Sequence, residues 1–596
     1  MLRSSGAKTT LVDCLLKQSG TNLGDQQGVT RVMDSNALEK ERGITILSKC
    51  TSIKYKDHRI NIVDTPGHAD FGGEVERVLS MVDGVALVVD ATEGPMTQTR
   101  FVLSKALKHG LRPVVVINKA DRPTSRIPEV ETDLMDLFFN LEATEEQLEY
   151  QTVYASAKEG WATGDMDNIH KPELRKDMSP LFDMILHNVP HPKVDRAESF
   201  SLLVTQLDHD DYVGKLYLGK IQSGILRVND EIQALNPDGT VTDSGRCVKL
   251  FVQDGLKRVP VEAAGAGDIV LIAGLKNATV NTTMCSLQIT EPIPSTPIDP
   301  PTVAMNFSVN DSPLGGQEGT RLTSNLIRER LLKEAETNVA LRVGPSAENP
   351  EIFEVSGRGE LQLGVLVETM RREGFEMSIS APRVLLKPDP DDPKQMYEPI
   401  EEAIIDVDPK FAGTIIEKMS QRKAELKLYT DIGDKTRLVF RVPARGLMGF
   451  ASEFRNDTHG EGVLTHSFLE YEPYKGPMGK IRKGALVSVG DGEATNDAIE
   501  RLQSRGIFFI SPGDIVYSGM VVGENAKEGD MPVNPVKAKV VSNVRSSGKE
   551  ETIKLVPPRL MTLEECMSYV ADDEVIEVTP TRVRLRKRPQ DKGKRK

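Results

Sequence analysis

Apolar positions in the first third of the chain cluster into short runs separated by longer mixed stretches. Ile60 to Val63, Pro113 to Ile117 and the apolar-rich Thr152 to Ala155 read as strands, and Leu11 to Lys17 reads as a helix. The pattern then changes. From Ser199 to Ile289, β-rich runs at Ser201 to Gln206, Leu216 to Ile221, Glu231 to Leu235 and Ile269 to Ala273 lie between Gly and Asp turns, which predicts a small β-barrel. Residues Thr302 to Leu386 predict a strand at Val303 to Val309, a helix at Arg321 to Glu336, and strands at Ala340 to Val343 and Ile352 to Ser356. A helix at Glu360 to Glu373 and a strand at Glu376 to Ser380 complete the β-α-β-β-α-β order of a ferredoxin-like unit. Residues Tyr397 to Glu472 repeat it, with a helix at Lys410 to Arg422 and a strand at Arg437 to Pro443 leading into Gly446 to Phe454.

Proline-rich joints divide these patterns: His191-Pro192, five prolines between Pro292 and Pro301, and three between Pro388 and Pro393. The expected fold is multidomain α/β, in five parts. An α/β domain spans 1–195, a β-barrel 196–295, ferredoxin-like α+β domains 301–386 and 396–478, and a mostly-β C-terminal domain 479–596.

Composition narrows the function classes. The chain has 596 residues, 39% hydrophobic and 27% charged, which suits ordinary globular cores, and no apolar stretch is long enough to span a membrane. Five cysteines, Cys14, Cys50, Cys247, Cys285 and Cys566, lack CxxC spacing, which argues against a zinc site or a disulfide framework. Net charge is −13, yet residues 582–596 hold nine Lys or Arg against Asp591 alone. This predicts a basic tail, beginning Arg582, Arg584, Arg586, Lys587, Arg588, that meets a polyanion or stays solvated. Lys537, Lys539, Arg545 and Lys549 surround Ser546-Ser547-Gly548 in what reads as an exposed loop, and small residues between cations suit close approach to a phosphate backbone.

Two motifs carry the chemistry. Asp64-Thr65-Pro66-Gly67-His68 puts a carboxylate at the end of an apolar strand, followed by a glycine whose N–H can meet a terminal phosphate. Asn118-Lys119-Ala120-Asp121 follows a second strand, and the Asp121 carboxylate can accept from both N1–H and the exocyclic amine of guanine, a donor pair that adenine lacks. Lys8-Thr9-Thr10 before the first helix, Arg42-Gly43-Ile44-Thr45, and Ser156-Ala157-Lys158 complete five elements in the order of a GTPase that uses GTP/GDP and Mg²⁺. A phosphate loop of the form G-x-x-x-x-G-K-[ST] also needs a buried strand before it and glycines that wrap a phosphate. Here the glycine positions hold Leu2 and Ala7, with Gly6 nearby, and no strand precedes them. The expectation is a sheet missing its central strand, strain at Ala7, and either a start upstream of Met1 or damaged nucleotide binding.

The stretches Asp64 to Arg77 and Arg445-Gly446-Leu447-Met448-Gly449-Phe450 resemble the TypA/BipA family of translational GTPases related to elongation factor G. Ala494 to Ala498 and Ser542 to Lys549 are similar to that family's own C-terminal domain, which argues against a LepA-like or tetracycline-protection factor. The resemblance implies a ribosome-stimulated GTP hydrolase acting in translation under stress or in ribosome assembly. It implies Lys8 on the β- and γ-phosphates, Thr9, Thr45 and Asp64 around Mg²⁺, Gly67 sensing the γ-phosphate and His68 orienting the attacking water. Asn118 and Lys119 would hold the base-reading loop, with Ser156 and the Ala157 N–H near guanine O6. Arg545 and Lys549 would reach toward tRNA near the peptidyl-transferase region. Its expected partners are ribosomal RNA and tRNA in the A site, with the protein a monomer in a cytoplasm or, behind a targeting segment, a plastid stroma. The rival expectation is a ribosome or RNA-binding factor whose GTPase site is degenerate.

Overall fold

The computed structural model describes residues 5–20, 37–42, 45–66, 72–192, 194–210, 212–295, 301–338, 340–346, 349–389, 392, 394–432, 435–478, 482–537 and 555–588. The chain divides into two compact units, 1–299 with 336–339, and 300–335 with 340–596.

The first unit opens with α1 (Ser5–Gln18), α2 (Ala37–Arg42), β1 (Lys49–Tyr55), β2 (His58–Asp64), α3 (Gly72–Leu79), β3 (Gly84–Asp90) and α4 (Thr97–Lys108). It continues through β4 (Arg112–Asn118), α5 (Ile127–Asn140), α6 (Glu145–Leu148), β5 (Gln151–Ser156), β6 (Trp161–Thr163) and α7 (Ser179–Asn188). β3, β4 and β5 pair in parallel, and β6 adds an antiparallel edge. β1 and β2 form a separate antiparallel pair. Among the described residues no strand lies between β2 and β3. A cavity of about 240 Å³ opens there instead, lined by Ile60 and Ile62 from one side and Gly84, Ala86 and Val114 from the other. Side chains do the joining that backbone pairing does not: Leu11 and Leu15 of α1 share one core with Ile62 of β2 and Val88 of β3. The expected strain at Ala7 does not arise. Ala7 lies inside α1, outside the residues of positive φ, and alanine is the best helix former.

The barrel follows. Ser201–Asp210 pairs antiparallel with Gly214–Ser223 on one side and Thr283–Cys285 on the other, around a core that includes Leu202, Val204, Tyr217 and Ile272. Its outer face meets the nucleotide domain, where Val63, Val78 and Met81 pack against Leu216, Leu218 and Leu271. Thr51 Oγ1 donates to Gly255 O at 2.7 Å and Ser52 Oγ to Gln253 O at 2.6 Å, which ties β1 to the barrel.

In the second unit, a ferredoxin-like sheet runs in the order Arg342–Pro345, Phe353–Gly357, Val303–Val309, Met377–Ser380. Its first helix spans Ser324–Thr337, not Arg321 onward. Arg321 is held outside it by a bridge to Phe375 and by its guanidinium lying 5.1 Å from that ring. The second ferredoxin-like domain pairs Met396–Val407 with both Lys435–Pro443 and Val463–Pro473 beneath the helix Pro409–Gln421. The stretch Gly446 to Phe454 breaks at Gly449, which has φ of 72°. A Cβ there would sit 2.9 Å from Ser568 O, so both backbone and packing demand glycine.

The expected basic tail is corrected by the sheet. Met377–Ser380 pairs with Glu574–Val578, which pairs with Val583–Lys587 and so extends the first ferredoxin-like sheet into the C-terminal domain. Arg584 and Arg586 are therefore buried in a strand. Arg584 pairs with Glu577 at 3.1 Å and Glu318 at 2.5 Å, and Arg586 pairs with Asp311. Lys587 reaches Asp530, Asp573 and Glu574, and Arg582 reaches Asp514 at 2.7 Å. Counting charge along the sequence missed this because the neutralising carboxylates come from remote segments. Among the described residues no helix is long and apolar enough to cross a membrane.

Candidate nucleotide site

The C-terminal ends of β2, β3, β4 and β5 carry Asp64, Asp90, Asn118 and Ser156. The parallel strands β3, β4 and β5 end together, so the loops after them, remote in sequence, meet at this edge. Two halves form, one built from charged and hydroxyl groups and one from backbone turns.

In the first half, Lys8 of α1 is fully buried, its Nζ donating to Thr65 O and lying 3.9 Å from Asp64 Oδ1. Among the described residues, both Asp64 carboxylate oxygens are buried without a hydrogen-bond partner, and so is Thr45 Oγ1. Thr9 is buried beside Lys8 and Thr10 is half-buried. Buried oxygens left without hydrogen atoms to accept are the donor chemistry of a hard divalent cation, so these residues fit Mg²⁺. Gly67 and His68 lie outside the described residues.

The second half is a set of locked turns. Asn118 Oδ1 accepts from the N–H of Lys119 at 2.8 Å and of Ala157 at 3.0 Å, joining the loops after β4 and β5. The Ala157 N–H, expected near guanine O6, is thus already directed at Asn118. The Ala120 N–H donates to Ala155 O at 3.1 Å. Lys119 adopts φ of 65°, a left-handed conformation that non-glycine residues hold only when their surroundings impose it. Asp90 helps impose it: its Oδ2 lies 2.5 Å from Lys119 Nζ, and its Oδ1 accepts from Thr92 N at 2.8 Å. Asp121 follows on this turn, half-buried, and Ser156 Oγ accepts from Glu159 N at 3.3 Å while Lys158 is exposed.

Sequence reading missed Asp90, although an aspartate closing the apolar run Gly84 to Val89 was a usable signal. It also missed Glu39 and Glu74, which lie in charge-rich helices where nothing local marks a buried carboxylate. Of the C-terminal cations, Lys537 is exposed, and Lys539, Arg545 and Lys549 lie outside the described residues. The cysteines offer no nucleophile: burial pushes the Cys50, Cys247 and Cys566 thiols up to about 12.

Family comparisons agree with this layout. Residues 5–191 match the elongation factor Tu GTP-binding domain and 214–285 elongation factor Tu domain 2. Residues 395–482 match the elongation factor G C-terminus and 483–592 the TypA/BipA C-terminal domain. The chain is 46% identical to the large ribosomal subunit assembly factor BipA of Bacillus subtilis over 99% of its length and 95% of that protein. It is 46% identical to the protein so named from Synechocystis, over 97% of this chain and 96% of that one. With that of Escherichia coli K12 the identity is 47% over 98% and 94%. In fold it resembles a solved crystal structure of a Thermus thermophilus protein, with a TM-score of 0.53 and 16% identity over 80% of this chain and 96% of that one. With the BipA relatives matched nearly end to end, and with phosphate-side and base-side loops meeting at one sheet edge, the chain belongs to the TypA/BipA family of translational GTPases.

Proposed function

We infer that this GTPase works on the ribosome, in a cytoplasm, binding GTP with Mg²⁺ and hydrolysing it to GDP and phosphate. The observation that carries the reading is the buried Lys8–Asp64 pair at 3.9 Å, with Thr45 also buried and polar, in the same domain as the locked Asn118 to Asp121 turn. The relatives' description as large ribosomal subunit assembly factors supports a role in building or tuning that particle.

Lys8 and the N-terminal turn of α1 face the phosphates, where a cation and a helix N-terminus both favour negative charge. Thr9, Thr45 and Asp64 would hold Mg²⁺. Bound Mg²⁺ would draw charge off the phosphate oxygens as the bond to the γ-phosphate breaks. Gly67 donates its N–H to the γ-phosphate, and His68 orients the attacking water. Asn118 and Lys119 fix the loop from which Asp121 accepts the two guanine donors, with Ser156 and Lys158 at the rim. Ribosomal RNA places His68 and so accelerates a slow intrinsic reaction. Lys537, Lys539, Arg545 and Lys549 contact RNA backbone, toward tRNA in the A site, through charge and shape more than base edges.

The test is a titration of the full chain with fluorescently labelled GTP and Mg²⁺, with ATP as competitor. Micromolar or tighter binding that ATP does not displace is expected. Ribosome binding without GTP binding would replace this reading by a nucleotide-independent ribosome binder, for which the open slot between β2 and β3 gives a structural reason. His68→Ala is expected to abolish ribosome-stimulated hydrolysis and leave GTP affinity nearly unchanged. Equal stimulated rates for variant and parent would remove His68 from the chemistry.

A further inference from the structure

Two glutamates that the proposed chemistry leaves aside grip the segment directly after Thr45. Glu39 of α2 is fully buried, and its Oε1 accepts from the N–H groups of Ile46 at 3.0 Å and Leu47 at 3.3 Å while its Oε2 meets Lys49 Nζ at 2.5 Å. Glu74 of α3 is also buried, and its Oε2 accepts from Ser48 N at 3.0 Å and Ser48 Oγ at 3.4 Å. The barrel adds a third hold, Gln206 Nε2 donating to Ser48 O at 3.3 Å. Three successive amides are therefore held by carboxylates from two helices, in place of any strand or helix ladder. Burying two carboxylates costs several kcal/mol unless each is compensated, so a purely structural clasp would be more cheaply made with neutral groups. Burial accordingly holds Glu74 above the ordinary carboxylate value, against the lowering effect of Arg77 and Ser48.

The placement gives the clasp a use. Ser48 follows Thr45, whose buried hydroxyl has no hydrogen-bond partner among the described residues, and α3 begins shortly after His68. Lys49, next along, stands across from Asp64 in the β1–β2 register. One carboxylate thus connects the two stretches that must respond to a γ-phosphate.

Resting on the GTPase reading above, we propose that Glu74 is a positioning residue that fixes the Thr45 segment to α3, so that both close together on GTP and release together with GDP. The clasp is already formed without nucleotide and so preorganises the Thr45 segment, which favours GTP over GDP because Thr45 has no role once the γ-phosphate is gone.

The test uses the full chain with Mg²⁺ and either GDP or a non-hydrolysable GTP analogue, comparing the parent, Glu74→Ala and Glu74→Gln. Affinities come from fluorescence titration, and hydrogen exchange is followed over residues 45–55 and 72–79. Glu74→Ala is expected to speed exchange at Ser48 even without nucleotide and to weaken the GTP analogue about tenfold, the effect of one buried donor left unpaired, while GDP affinity holds. Glu74→Gln keeps an acceptor oxygen at that position and is expected to restore most of the analogue's affinity. Equal weakening of both nucleotides in Glu74→Ala, an unchanged ratio between them, or a Gln variant as impaired as the Ala variant would overturn the proposal. A parent that binds neither nucleotide would overturn the GTPase reading itself and this one with it.

Discussion

Asp121→Asn is expected to weaken GTP and GDP binding by about a hundredfold while leaving the poor binding of ATP where it was, abolishing most of the guanine preference. The expectation comes from the rigidity of the turn. Asn118 Oδ1 ties the Lys119 and Ala157 amides, the Ala120 N–H is tied to Ala155 O, and Lys119 is held left-handed by Asp90. The backbone that presents Asp121 is therefore fixed by its neighbours. Asparagine replaces one acceptor oxygen by an N–H donor, which faces a guanine donor instead of an acceptor and removes the charge that strengthened both bonds. Labelled GDP titrated with ATP and GTP as competitors measures the effect. An unchanged preference for GTP over ATP would take base reading away from Asp121.

Arg584→Leu is expected to destabilise the second unit by about 3 to 5 kcal/mol, since removing one partner of a buried ion pair strands the other. Glu577 is fully buried, and besides Arg584 its hydrogen-bond partners among the described residues are neutral: Asn310 Nδ2 at 3.1 Å, Ser312 Oγ at 2.8 Å and Tyr517 OH at 2.7 Å. Those donors orient the carboxylate but cannot neutralise it, and its charge holds the Tyr517 hydroxyl well above the usual phenol range, after burial as the larger cause. Urea unfolding can separate the two units. The single tryptophan, Trp161, lies in the first and reports it by fluorescence, while far-UV circular dichroism reports both. The dichroism transition should broaden and begin at lower urea while the Trp161 transition stays in place. Glu577→Gln in the same chain should recover part of the loss, because it removes the stranded charge. Coincident, unshifted transitions would mean that the Arg584 pair contributes nothing to stability.

The elements that local pattern could read were the compact ones. Val303 to Val309 is mostly apolar, begins and ends on β-branched valine and is flanked by turn residues, and its strand has those limits. The helix predicted over Leu11 to Lys17 is present but begins earlier, at Ser5, because Gly6 and Ala7 are helical where a phosphate loop was expected. Motif reading located Lys8, Asp64, Asn118 and Ser156 near one another for a simple reason: the last three close strands whose ends meet at one edge of the domain, and α1 packs Lys8 against the first of them.

What lay beyond sequence reading was pairing between remote segments. Glu39, Glu74 and Asp90 look like ordinary charges in their local context, and only the fold brings backbone amides or an ammonium to them. Arg584 and Arg586 read as part of a free basic tail, yet they meet Glu577 of the neighbouring strand and Asp311 and Glu318 of the loop after Val303–Val309. The sequence alone determined the order of domains and the kind of chemistry at each loop, because periodicity and short motifs are local properties. Tertiary structure decided which charges are buried and paired, and that Leu11 and Leu15 of α1 pack against both β2 and β3, because burial depends on neighbours that local sequence does not contain.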